Sequence, residues 1–82
     1  MNRKKIKQRL LATVGECTEV PVSEIDETLK LNDDMGLDSL DKIDLWLRLE
    51  SEFKIDIPEE KIRECETVGH LIDLIAFHLK KD

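Results

Sequence analysis

Leu45, Leu49 and Phe53 recur every four residues in the middle of this chain, the spacing that lines one side of an α-helix with apolar groups. Helical periodicity returns in Ile6, Leu10, Leu11 and Val14 near the start, and in Val68, Leu71, Ile72, Leu74, Ile75 and Leu79 near the end. No segment reads as a strand, so the apolar faces have to be buried by packing helices on one another. The 82 residues allow one domain with a modest core. Aromatic residues make up only 4% of the chain, so that core must be aliphatic. The expected fold is all-α. It is a small four-helix bundle of three longer helices and one short third helix, with a long loop between the first and second.

The first helix is predicted over residues 3–16. Its basic start opposes the helix dipole, but Asn2 can cap it, and Gly15 is placed to help end it. Across residues 17–32 no long period survives, and Pro21, Ser23 and Thr28 signal a loop. The loop is longer than most connections. Val20, Ile25, Leu29 and Leu31 give it apolar anchors, so it is expected to be packed. The second helix should begin at Ser39 or Leu40 and end near Phe53. Beside its buried stripe runs a second apolar line, Leu40, Ile43 and Leu47, mixed with Asp41, Asp44 and Glu50. That line either widens the core contact or forms a partly exposed partner surface ringed by acids.

Ile55 and Ile57 frame a short turn, and Pro58 is placed as the first residue of a third helix over residues 58–64. Glu59 and Glu60 put favourable negative charge in its first turn, and Ile62 and Cys65 are expected inward. Thr67 can cap the last helix, whose dipole Lys80 and Lys81 complement at the far end.

The chemistry of the chain concentrates in Asp34-Met35-Gly36-Leu37-Asp38-Ser39-Leu40-Asp41. Gly36 can take backbone angles that other residues resist, which allows a sharp turn just before the second helix. Asp38 is a good N-cap, and Asp41 three residues on approximates a capping box with Asp in place of Glu or Gln. Ser39 then falls at the first helical position or at the cap, with its hydroxyl towards solvent. Free backbone N–H groups and the positive end of the helix dipole lie beside it, so a phosphate on that oxygen would sit where helix termini favour anions.

Other readings of the same residues fit less well. A hydrolase elbow requires Gly-x-Ser-x-Gly between a strand and a helix, and this chain has neither the second glycine nor the strand. The two histidines, His70 and His78, are on the last helix, two turns apart, too far for joint metal binding. An EF-hand built on Gly36 would need acids where Leu31 and Asp33 stand and a Glu at Lys42, so the calcium pattern fails and no metal site is expected. Cys17 and Cys65 have no second pair nearby, which argues against a disulfide framework or a zinc site.

The net charge is −6, unevenly spread. Arg3, Lys4, Lys5, Lys7 and Arg9 are the charges of the first nine residues, and removing those five from the total of −6 leaves −11 on the remainder. Such a surface disfavours nucleic acid and suits positively charged protein partners, whose complementary fields speed encounter. No apolar run approaches the roughly 18 to 20 residues of a membrane span. The start lacks the apolar region of a signal peptide. A cytoplasmic location is the simplest expectation.

Asp38-Ser39-Leu40, preceded by Asp34-Met35-Gly36, resembles the attachment motif of the acyl carrier proteins. Phe53, the Ile57-Pro58-Glu59-Glu60 run and the Thr67-Val68 helix start lie at that family's spacing from Ser39, so the resemblance covers nearly the whole chain as a single acyl-carrier domain. It implies a monomer that is no enzyme but carries acyl groups as thioesters on a 4′-phosphopantetheine arm. Ser39 would bear the arm, and Asp38 and Leu40 would orient and dock the phosphopantetheinyl transferase that attaches it from coenzyme A with Mg²⁺. Asp41, Ile43, Asp44, Leu47, Glu50 and Glu59 would seat acyl-transferring and chain-elongating enzymes through their basic docking patches. An acyl pocket would lie among Leu45, Trp46, Leu49, Ile57, Ile62 and Leu71. Fatty-acid synthesis is the leading pathway, with a polyketide, peptidyl or aminoacyl system as the alternative. An unmodified helical interaction module is the rival of another class. The chain departs from the family at Trp46 and Arg48, where smaller residues are usual, and Met35 replaces the usual leucine. Trp46 pointing inward would fill the acyl pocket, and pointing outward would anchor a partner.

Overall fold

Helix-forming periodicity and well-placed caps produce four α-helices in a computed structural model, which describes residues 2–80 and, at Lys80, the backbone alone. They are α1 (Arg3–Cys17), α2 (Ser39–Phe53), α3 (Glu59–Glu64) and α4 (Val68–Lys80). The expected all-α fold with a short third helix is what the chain adopts. The expected dipole contribution of the Lys80 and Lys81 side chains lies outside the described residues.

Asn2 caps α1, its side-chain oxygen accepting the Lys5 N–H at 2.9 Å. The helix runs past Gly15 to Cys17 and closes at Thr18, whose N–H and hydroxyl both donate to the Val14 carbonyl at 3.0 Å. Gly15 therefore does not end the helix. A Cβ there would stand 3.0 Å from the Val22 methyl carbon, so the residue lets the following chain pass close by. That chain forms a single 3₁₀ turn, Val22–Glu24, which the sequence pattern did not show.

The connection to α2 is packed as expected. Ile25 and Leu31 are buried, and Val20 and Leu29 pack against the core. Backbone bonds hold the connection to the start of α4. Leu31 N–H donates to the Glu66 carbonyl at 2.8 Å, Val68 N–H to Leu29 at 3.1 Å, and Gly69 N–H to Glu27 at 2.9 Å. A Cβ on Gly69 would lie 3.1 Å from that Glu27 carbonyl. Arg3 pairs with both Glu27 and Asp73, and Lys7 reaches Glu27 at 3.3 Å. The basic start of the chain thus supplies counter-charge within the fold.

α1 packs against α2 and α4, and α2 against α3. Leu10, Val14, Leu45, Leu49, Val68, Leu71, Ile72 and Ile75 are fully buried at the centre. Pro58 caps α3 and does not open it: its ψ of 133° is extended, and its carbonyl accepts the Lys61 and Ile62 N–H groups. The helix starts one residue later than predicted. Thr67 caps α4, accepting the His70 N–H at 3.2 Å. His70 returns the favour to the preceding chain, its Nδ1 accepting the Glu66 N–H at 3.2 Å. Among the described residues no helix is long and apolar enough to cross a membrane.

Candidate functional site at the start of α2

The segment before α2 is closed on itself before it presents Ser39. Lys30 carbonyl accepts the N–H groups of Asp34 and Met35 at 3.0 and 3.1 Å, and Asp34 carboxylate accepts the Lys30 N–H at 2.8 Å. Leu37 N–H returns to the Leu31 carbonyl at 2.9 Å. Gly36, at φ 69°, makes the reversal between them. Met35 and Leu37 are buried on either side of it, so the helix start stands on an anchored base.

Asp38 and Asp41 form the full capping box. Asp38 carboxylate accepts the Asp41 N–H at 2.9 Å, and Asp41 carboxylate accepts the Asp38 N–H at 3.3 Å. Ser39 is therefore the first helical residue and not the cap. Its side chain is exposed, and the helix does not use its hydroxyl as the cap acceptor. A cleft of about 350 Å³ opens beside it, lined by Asn32, Ser39, Lys42 and Arg63. Lys42 Nζ donates to the Cys65 carbonyl at 3.3 Å, and Arg63 pairs with Glu59 at 2.9 Å.

Along the outer face of α2, Leu40 is 76% exposed and Leu47 54% exposed, with Ile43 half-buried between them. The second apolar line thus faces solvent at its ends and is half-buried at its middle. Asp41 and Asp44 are exposed beside it. Asp44 pairs with Arg48 at 3.2 Å, and Arg48 also approaches Glu16 at 3.9 Å. Glu50 is half-buried, and one of its oxygens accepts the Ile57 N–H at 2.8 Å.

Ile57 is held from the other side as well. The Trp46 indole, half-buried against the core, donates its N–H to the Ile57 carbonyl at 2.8 Å. Trp46 and Glu50, one turn apart, thus grip both polar groups of one residue in the α2–α3 connection. Of the two placements open for Trp46, the indole takes the inward one at this joint. The other expected pocket residues, Leu45, Leu49, Ile57, Ile62 and Leu71, are each no more than 2% exposed and closely packed.

Neither the cysteines nor the histidines line the cleft beside Ser39. Burial pushes the Cys65 thiol up to about 11, and burial raises Cys17 as well, so both thiols stay protonated near neutrality. His70 and His78 line a different cleft, between α3 and α4, with Pro58, Cys65, Leu74 and Phe77. The structure therefore brings Ser39, Asp38, Leu40 and Asp41 together. It adds Asn32, Lys42 and Arg63, which sequence reasoning passed over. Lys42, one turn after Ser39, was detectable from helical spacing. Arg63 reaches the cleft only because α3 packs on α2, which no local pattern shows.

Comparison with known proteins agrees with this geometry. The sequence model of the family described as "Phosphopantetheine attachment site" matches residues 8–75, and that family implies a covalently attached phosphopantetheine. The chain is 33% identical over 76 residues to the acyl carrier protein of Porphyromonas gingivalis, covering 93% of this chain and 97% of that one. It is 35% identical over 74 residues to the acyl carrier protein of Saccharopolyspora erythraea, covering 90% of this chain and 78% of the relative. The structure of acyl carrier protein from Enterococcus faecalis superposes with a TM-score of 0.79 at 27% identity, covering 95% of this chain and 99% of the other. From the fold, the exposed serine and these matches together, the chain belongs to the acyl carrier protein family.

Proposed function

We propose that Ser39 bears the 4′-phosphopantetheine arm and that this chain is a non-catalytic carrier of acyl groups in fatty-acid synthesis. One observation carries the assignment: the Ser39 hydroxyl is exposed at the first position of a 15-residue helix whose cap is supplied by its neighbour Asp38. The residues present fit such a group. The serine is free to be esterified without loss of the cap, and the cleft beside it offers polar and cationic side chains to a phosphate. When attached, the arm supplies a terminal thiol that holds an acyl group as a thioester.

The protein's own residues then do three things. Asp38 and Asp41 fix the helix start, so that Ser39 keeps one direction. Leu40, exposed next to it, docks the phosphopantetheinyl transferase that works with coenzyme A and Mg²⁺. Leu47 with Ile43, rimmed by Asp41, Asp44, Glu50 and Glu59, seats acyl-transferring and elongating enzymes that carry basic patches. We place this single domain in the cytoplasm as a monomer.

Cargo would enter by parting Leu45, Leu49, Ile57, Ile62 and Leu71 next to Trp46. Each buried CH₂ gains about 0.8 kcal/mol, which has to offset the cost of parting side chains that are no more than 2% exposed. The Trp46 indole already fills space at that joint and is bonded to Ile57. This favours short acyl groups and gives a specialised carrier its specific support. A reconstituted elongation system with this protein as its only carrier tests the pathway. Chain growth on the protein is expected. A phosphopantetheinylated protein that fatty-acid elongation enzymes ignore would move the reading to the specialised carrier.

A further inference from the structure

We propose that Lys42 and Arg63 form a cationic clamp for the phosphodiester of the arm on Ser39, fixing the direction in which the arm leaves the protein. The inference rests on Ser39 being the attachment residue and goes beyond it to the chain's own cations.

The electrostatics at this serine pose a problem that the two cations answer. A phosphodiester adds one negative charge to a hydroxyl flanked by the Asp38 and Asp41 carboxylates, on a chain of net charge −6. Backbone N–H groups at the start of α2 face it, but the Asp38 side chain already occupies the Asp41 N–H. Lys42 lies three residues on from Ser39, so helical geometry places both on one face, and Arg63 enters the same cleft from α3.

Both cations have donors left for the phosphate. Lys42 is half-buried, gives one hydrogen bond to the Cys65 carbonyl, and among the described residues has no carboxylate within ion-pair distance. An ammonium has three donors, which leaves two. Lys42 also lines a second cleft, with Lys30, Asn32, Asp33 and Glu66. Arg63 uses one terminal nitrogen on Glu59 and its side chain is 65% exposed. The rest of its planar fork matches a phosphate's oxygens. Asn32 completes the cleft with an amide donor. The bland alternative is that Lys42 only ties α2 to the end of α3 through Cys65. In that case attachment of the arm changes nothing at Lys42 or Arg63.

The test compares the unmodified protein with the same protein after incubation with coenzyme A, Mg²⁺ and a broad-specificity transferase, with attachment confirmed by intact mass. Nitrogen-15 NMR of the Lys and Arg side chains and phosphorus NMR of the arm provide the readout. On attachment the Lys42 and Arg63 side-chain signals are expected to shift while those of Lys61, which lines the α3–α4 cleft, stay in place. Lys42→Met, which keeps the buried stem, and Arg63→Gln should each move the phosphorus resonance towards that of a free phosphopantetheine diester. Added salt should do the same in the wild type. If the mass rises but Lys42 and Arg63 signals do not move and the phosphorus resonance is the same in all variants, the clamp is wrong and the carrier reading stands. If the mass does not rise at all, the attachment reading falls and the clamp falls with it.

Discussion

Gly36 shows how much a single backbone angle contributes to the site. Its φ of 69° lies in the left-handed region, and a Cβ built there meets nothing within 4 Å. The effect of Gly36→Ala is therefore backbone strain without a clash, about 1–2 kcal/mol, and urea unfolding should show a lower midpoint with an unchanged slope. Ser39 is the opposite case. Because Asp38 is the cap and the Ser39 side chain is exposed, Ser39→Ala should change stability by no more than about 0.5 kcal/mol in the same experiment. A large loss would mean that the hydroxyl holds the helix start and is not free for modification. Neither outcome could be read from composition. The glycine's angle depends on how residues 31–37 fold back on Lys30 and Leu31, and the freedom of the serine on the capping box between Asp38 and Asp41.

Two joints show how the elements are held. At the α2–α3 joint, Trp46 and Glu50 bond the carbonyl and the N–H of Ile57. Trp46→Phe and Glu50→Ala should each destabilise by about 1 kcal/mol. Since both act on one residue, the double variant should depart from additivity by at least about 0.5 kcal/mol. Strict additivity in a double-mutant cycle would show that the two bonds are independent. At the start of α1, hydrogen bonds from Arg3 and then Lys7 hold the Glu27 carboxyl below its ordinary range, reinforced by their charges. Folding is thus favoured at pH above the unfolded carboxylate value of about 4.3, and the contribution is lost as pH falls through the lower folded value. Glu27→Gln removes it. The gap in thermal midpoint between wild type and variant should shrink from about pH 6 to about pH 3; a gap that widens on acidification would contradict the assignment.

For the whole molecule, the three longer helices were legible because each carries its own period and cap. Asn2, Asp38 and Thr67 all cap as their residue types suggest, and the Leu45, Leu49 and Phe53 stripe is buried. What escaped the sequence depends on contacts between distant segments. Gly15 and Gly69 are small because Val22 and the Glu27 carbonyl pass close by, and Arg63 shares a cleft with Ser39 only through the packing of α3 on α2. Trp46 could be placed either way until its indole N–H found the Ile57 carbonyl. The candidate site follows the same division: the serine, its cap, the exposed Leu40 and Lys42 one turn on are written in one local run, while Arg63 comes from the assembled bundle.

The measurement that tests the central claim most directly is the intact mass of the protein after incubation with coenzyme A, Mg²⁺ and a broad-specificity phosphopantetheinyl transferase, beside Ser39→Ala treated identically. The account predicts a gain of one phosphopantetheinyl unit in the wild type and none in the variant. A folded wild-type protein that gains no mass with several transferases, or a variant that gains as much as the wild type, would contradict it.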